Sequence, residues 1–186
     1  MSRPSSKSQW RHICQAQRAQ LTPVQIHTLS QQICANLRAS QILDTAACVL
    51  GYWAVKGEIP LDPLFQVYPE KIWGIPRCLP HHRLAWHRYH PGDPLLPNPW
   101  GIPEPLESSE VVDPSLAACI LIPALACDRS GTRLGYGQGF YDRFLVQVGG
   151  LRVAVIPEQG LVETLPRDPW DVPMEVIVTE SQIVRI

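Results

Sequence analysis

The chain predicts an α/β fold in which a single layered domain, residues 1–186, is built on a mainly parallel sheet. Three observations lead there. Apolar runs of strand length recur from Ala46 onward, helical patterns stand between some of them, and 186 residues suit one domain of roughly 100–200 residues.

Ser5 and Ser6 can cap a first helix running to about Leu21, whose text KSQWRHICQAQR is polar with sparse apolar positions at Trp10, Ile13 and Cys14. Thr22-Pro23 then opens a second helix by the cap-then-proline pattern, and Ile26, Leu29, Ile33 and Leu37 give it one apolar stripe at spacings of three and four. The runs AACVLGYWA, KIWGIPRCL, RLAWHRY, LAACILIPALAC, LRVAVI and EVIVTE read as strands. Helical pattern returns at 60–68 and 140–148, so strand–helix–strand units with parallel pairing are expected. Prolines gather most densely from Pro91 to Pro105, which reads as a loop.

Sixteen basic residues stand against seventeen acidic ones, a formal net charge of −1 that gives no general attraction to nucleic acid or an anionic membrane. No run approaches the roughly 18 apolar residues of a membrane span, and MSRPSSKSQWRHICQ lacks the apolar centre of a secretory signal. A cytoplasmic protein with no membrane partner is therefore expected, as a monomer. The six cysteines show no CxxC pair and read as reduced, buried small hydrophobes. His81, His82, His87 and His90 match no standard zinc spacing and read as a polar outward face of a strand.

The most informative stretch is ILIPALACDRSGTRLGYGQGFYDRFLVQVGG, read as buried strand, polar turn, glycine loop and helix. Alternate glycines at 135, 137 and 139 let backbone approach a ligand closely, and a helix start adds free N–H groups aimed at an anion. Arg133 and Arg143 flank the loop, and Asp142 could hold magnesium against phosphate oxygens. The repeat also occurs in ordinary turns and is neither a P-loop nor a GxGxxG site, so the residues alone leave phosphate binding and a plain turn open.

IPALACDRSGTRLGYGQGFYDRFL resembles the signature of the 5-formyltetrahydrofolate cyclo-ligase family, also called methenyltetrahydrofolate synthetases. KSQWR resembles the family's amino-terminal Lys-x-x-x-Arg, GEIPLDPL its Glu-containing turn, NPWGIPEP its Gly-Ile-x-Glu-Pro loop and RDPWDVPMEVIVTE its closing Asp-Val-Pro segment. Two positions depart: Gln138 stands where many members have Lys or Gly, and Phe140 where many have Tyr.

The resemblance implies a layered fold like that of ribose-5-phosphate isomerases and CoA transferases. It also implies ATP- and Mg2+-dependent closure of 5-formyltetrahydrofolate to 5,10-methenyltetrahydrofolate, with ADP and phosphate released. By the same resemblance Lys7, Arg11 and Arg133 are catalytic and grip ATP together with Leu134, Gly135, Tyr136, Gly137, Gln138, Gly139, Phe140 and Tyr141. Arg11, Trp53, Glu58 and residues Tyr136 to Phe140 would meet the folate, and Asp142 and Asp171 would hold magnesium. The implied route has the formyl oxygen attack the γ-phosphate, which needs alignment and charge neutralisation and no Ser-His-Asp triad.

Each residue has a plainer reading. Lys7 and Arg11 could be a solvated helix face, Glu58 a loop carboxylate, Trp53 core, Asp142 a helix-dipole partner and Asp171 a turn residue. A second class of function stays open too, a non-catalytic folate- or nucleotide-binding protein, with Gln138 and Phe140 the features that favour it.

Overall fold

In the computed structural model, which describes residues 4–186, the two amino-terminal helices begin on capping boxes. Ser6 caps α1 (Lys7–Arg18) and Thr22 caps α2 (Pro23–Ala39), each accepting from the N–H three residues on while Gln9 or Gln25 reaches back. The stripe expected on α2 is inward: Ile33 and Leu37 are fully buried, and Leu29 packs beside them. On α1 the inward stripe is Lys7, Arg11, Cys14 and Arg18, while Ile13 is exposed. A helix that turns cations inward is docking on polar partners. It also stops at Arg18, short of Leu21.

The later elements are β1 (Cys48–Leu50), α3 (Asp62–Val67), β2 (Ile72–Leu79), β3 (Arg83–Arg88), β4 (Leu95–Pro97), β5 (Pro103–Pro105), β6 (Cys119–Pro123), β7 (Ala126–Asp128) and β8 (Arg133–Leu134). After them come α4 (Phe140–Leu145), β9 (Leu151–Val155), β10 (Leu161–Val162), β11 (Val176–Val178) and β12 (Ile183–Arg185). Seven strands form the main sheet in the order β12-β11-β9-β6-β1-β2-β3. The five inner strands run parallel, and β3 and β12 pair antiparallel at the two edges.

The inner strands are apolar on both faces because both are covered. Val49, Leu121, Val153 and Val178 meet α2 and α3 on one side, while Leu50, Ile120, Ile122, Ala154 and Ile177 meet Phe144 and Leu145 of α4, Trp86 and Val112 on the other. A second sheet, β10-β7-β8, and a hairpin of β4 with β5 stand beside this core.

Two runs divide where continuous strands were expected. LAACILIPALAC passes from the main sheet in β6 to the small sheet in β7, with Pro123 at the break, a residue that has no N–H for the ladder. AACVLGYWA pairs along Cys48–Leu50, after which the chain departs and frees Trp53 from the sheet. From β1 the order steps to β2 on one side, and β6 lies on the other. The crevice beyond the carboxyl ends of β1 and β6 is thus a topological switch point, the place where open α/β sheets receive ligands.

Among the described residues no helix is long and apolar enough to cross a membrane. All six cysteines are free thiols, five buried and Cys78 half-buried. The histidines do not share one outward face. His81 and His82 sit at the β2–β3 tip with φ of 62° and 54°, and His87 is buried with its Nδ1 2.9 Å from Ser109 O.

Candidate functional site

A cleft of about 500 Å³ opens at that switch point. Four segments far apart in sequence line it: Lys7 and Arg11 from α1, the loop after β1 with Trp53 and Glu58, the stretch from Arg133 to Asp142, and Asp171 near the carboxyl end. Every site residue expected from the sequence lies in its lining.

The loop after β1 locks itself. Val55 N–H donates to Glu58 Oε2 at 3.0 Å, Glu58 N–H donates to Val55 O at 3.0 Å, and Tyr52 hydroxyl donates to Ile59 O at 2.8 Å. Between them Lys56 takes a left-handed φ of 51°, a costly conformation for a side chain bearing a Cβ. Glu58 is 7% exposed, and its burial pushes the carboxyl up to about 7 despite the Val55 N–H and the nearby Arg18 and Lys56. Trp53 stands edge-on to Tyr89, centroids 5.4 Å apart, which fixes a flat apolar face at the cleft.

The glycine loop is shaped by backbone need. Gly137 and Gly139 have φ of 95° and 71°, and a Cβ on Gly137 would stand 3.1 Å from Arg11 Cζ. Arg11 Nε donates to Gly135 O at 3.0 Å, so the loop and α1 fit each other. The helix that follows is shorter than expected, six residues from Phe140 to Leu145, because Val146 already ends it. No side chain caps its start at Gly139, which leaves first-turn N–H groups free of a side-chain acceptor.

Each carboxylate considered for a metal is held by a cation. Asp142 Oδ1 lies 2.7 Å from Arg133 Nη2, and Asp171 Oδ2 lies 2.5 Å from Lys7 Nζ, with Asp168 Oδ2 on the same ammonium at 2.7 Å. Partial burial works to lower the Lys7 pKa, and the bonds to Asp168 and Asp171 outweigh it and raise it. Arg133 is 8% exposed, lies over the Tyr141 ring at 5.6 Å, and its buried Nε has no hydrogen-bond partner among the described residues.

Gln138 contributes its carbonyl to Arg143 Nη1 at 3.0 Å, a backbone role open to any residue, and Phe140 packs edge-on to His82 at 5.2 Å. Sequence reasoning gave no role to Arg18, Asp168 or Glu104. Arg18 is buried, donates to Ala124 O and reaches the Tyr136 hydroxyl at 3.4 Å. Its signal was available, since Lys7, Arg11, Cys14 and Arg18 follow helical spacing. Glu104, buried in the cleft wall, accepts from Cys78 N–H at 2.8 Å and Asn98 Nδ2 at 2.7 Å.

Known proteins share both the sequence and this architecture. The sequence model of the 5-formyltetrahydrofolate cyclo-ligase family matches residues 3–180. The 5-formyltetrahydrofolate cyclo-ligase of Escherichia coli K12 is 31% identical over 178 residues, covering 89% of this chain and 96% of that one. Its namesake from Haemophilus influenzae is 33% identical over 165 residues, covering 84% and 88%. The solved structure of Aquifex aeolicus 5,10-methenyltetrahydrofolate synthetase superposes with a TM-score of 0.85 at 36% identity, covering 96% of this chain and 92% of that one. A match of this length, joined to a cleft that collects the residues its signature motifs contain, means that the chain belongs to the 5-formyltetrahydrofolate cyclo-ligase family of enzymes.

Proposed function

We propose that the chain catalyses ATP- and Mg2+-dependent cyclisation of 5-formyltetrahydrofolate to 5,10-methenyltetrahydrofolate, releasing ADP and phosphate. The observation that carries this reading is the meeting in one cleft of a cationic wall (Lys7, Arg11, Arg133), a glycine loop and a buried carboxyl flanked by an aromatic face. A polyphosphate needs the cations and the loop, and a folate the carboxyl and the aromatic face.

An amide oxygen is a poor leaving group, so the formyl oxygen of the folate attacks the γ-phosphorus of ATP and ADP departs. N10 then attacks the activated formyl carbon and loses its proton, and phosphate leaves carrying the former formyl oxygen. Lys7, Arg11, Arg133 and the loop N–H groups hold the phosphates in line and offset their charge, which is most of what phosphoryl transfer asks of a protein. Glu58 accepts from the N–H edge of the pterin, where an unpaired buried carboxylate would be costly, and Trp53, Tyr136 and Phe140 bound the ring.

Asp142 and Asp171 suit magnesium that arrives with nucleotide. Each lines the cleft and each engages one carboxylate oxygen with a cation, Asp142 through Oδ1 and Asp171 through Oδ2. Among the described residues no group of three or more His, Cys, Asp or Glu side chains is arranged to hold an ion. One or two carboxylates completed by phosphate oxygens and water is a usual magnesium arrangement. The ion would neutralise phosphate charge.

Purified protein incubated with 5-formyltetrahydrofolate, ATP and magnesium should produce the near-ultraviolet absorbance of the methenyl product, with ATP consumed in step. ATP hydrolysis at the same rate without folate, or no product with all three present, would overturn the reading.

A further inference from the structure

We infer that Arg18 is a positioning residue for the folate end of the cleft: from behind the cleft wall it supplies the fixed positive charge that Glu58 needs to receive the pterin as a carboxylate. This deepens the folate reading of Glu58 and rests on it.

Arg18 closes α1, at the negative end of the helix dipole, where a cation is favoured. It is 5% exposed and outside the cleft lining, so it acts on a ligand only through other residues. Segments distant in sequence converge on it. Nη2 donates to Ala124 O between β6 and β7, and Nη1 donates at 3.4 Å to the Tyr136 hydroxyl of the glycine loop, which in turn lies 3.5 Å from Lys56 O. The stem of Arg18 packs against Gly57, where an added Cβ would stand 2.9 Å from Arg18 Cγ. The guanidinium is therefore fixed between the glycine loop and the loop that carries Glu58.

Arg18 and Glu58 are both buried, and among the described residues neither enters an ion pair. A buried charge acts over a longer range than a solvated one, because little water screens it. Against the burial that raises the Glu58 carboxyl to about 7 work the Val55 N–H, Arg18 and Lys56. Lys56 is exposed on the same loop, and water weakens its charge. Tyr52, Tyr136 and Tyr141 also stand near, and burial raises each phenol, so they stay neutral where Glu58 titrates. Of the two cations, Arg18 is thus the one whose charge reaches Glu58 unscreened. The pterin edge offers N–H donors, and a carboxylate accepts from them more strongly than the neutral acid does.

Calorimetric titration with 5-formyltetrahydrofolate from about pH 6 to about pH 9 tests this on the wild-type chain, Arg18→Gln and Arg18→Lys. Wild-type affinity should rise with pH and level off above about 7, where Glu58 is ionised. Arg18→Gln should move that break upward, with affinity about threefold weaker at about pH 6 and within about 1.5-fold of wild type at about pH 9. Arg18→Lys, which keeps the charge, should keep the wild-type profile. Equal loss at every pH with a lowered melting temperature would make Arg18 a structural brace and overturn the inference, as would an unmoved break. Two measurements need no Arg18 variant and decide the matter if Arg18→Gln does not fold. Lys56→Gln and added salt should each leave the break nearly in place, since neither reaches a buried charge, and a break that rises with either would assign the role to Lys56. If wild-type affinity does not change with pH, the inference falls, and if Glu58→Gln then binds as tightly, the folate reading of Glu58 falls with it. A pH-dependent wild type whose break Arg18→Gln leaves unmoved removes this inference alone.

Discussion

The seven-stranded sheet and the wall that α1 forms with the small three-stranded sheet are held by different forces. Around the sheet, residues such as Leu50, Leu121, Ile122, Val153 and Ile177 are fully buried, and α2, α3 and α4 close over them. At the wall the apolar cluster is small, comprising Cys14, Leu125, Ala126, Leu134 and Leu165. Polar anchors take over there: Arg18 to Ala124 O, Arg11 to Gly135 O, Lys7 to the 168–171 turn, and the Asp128 carboxylate, which accepts from the N–H groups of Ser130, Thr132 and Leu165. Apolar burial is non-directional and stabilises strongly, whereas an ion pair at a cleft adds little net stability but can exchange partners. The difference shows how one chain keeps a rigid frame and a wall whose cations remain available to a ligand.

The contrast breaks most visibly at its apolar end. Leu121→Ala should remove about 2–5 kcal/mol of stability in denaturant unfolding, because a fully buried side chain leaves a cavity, while ligand affinities of the folded fraction stay within about twofold. A loss under about 1 kcal/mol would mean the sheet is not the frame supposed here.

Glu58→Gln sharpens the contrast, since Glu58 is a polar group buried beside the main core. The folded chain keeps the Glu58 proton up to about pH 7, whereas its ordinary value is 4.5. Between those values the folded state binds more protons than the unfolded one, so the stabilising contribution is complete below about pH 4.5 and is lost as pH rises through 7. Glutamine removes that slope. Melts of the two chains should nearly coincide at low pH and separate by on the order of 3 kcal/mol in favour of the variant above pH 7. Folate affinity should nonetheless fall about tenfold or more, with ATP affinity within about twofold. Equal losses for both ligands would make Glu58 a structural residue.

The smallest effect is expected at the wall. Asp142→Asn should raise the magnesium needed for half-maximal rate and cut turnover about tenfold, equal to about 1.4 kcal/mol of barrier, with less than about 1 kcal/mol lost in a thermal melt. An unchanged magnesium requirement with a lowered melting temperature would leave Asp142 as the partner of Arg133 and a helix-start residue.

Much of the frame was legible because apolar periodicity encodes it. The α2 stripe and the inner strands of the sheet follow spacings that any buried helix or strand must show. The glycine loop was legible too, since positive φ at Gly137 and Gly139 needs that residue type. Even the shared face of Lys7 and Arg11 follows from i, i+4 spacing.

What the sequence by itself determined, then, is the α/β class, the helix starts and the segments that meet at the cleft. The tertiary structure alone decided that α1 turns its cations inward, that β1 releases Trp53 and Glu58 at the switch point, and that Asp168 meets Lys7 across 161 residues. The physical reason is that apolar burial repeats along the chain and leaves a period to read, whereas a polar pair is specified by two distant residues and the order in which the strands are laid down.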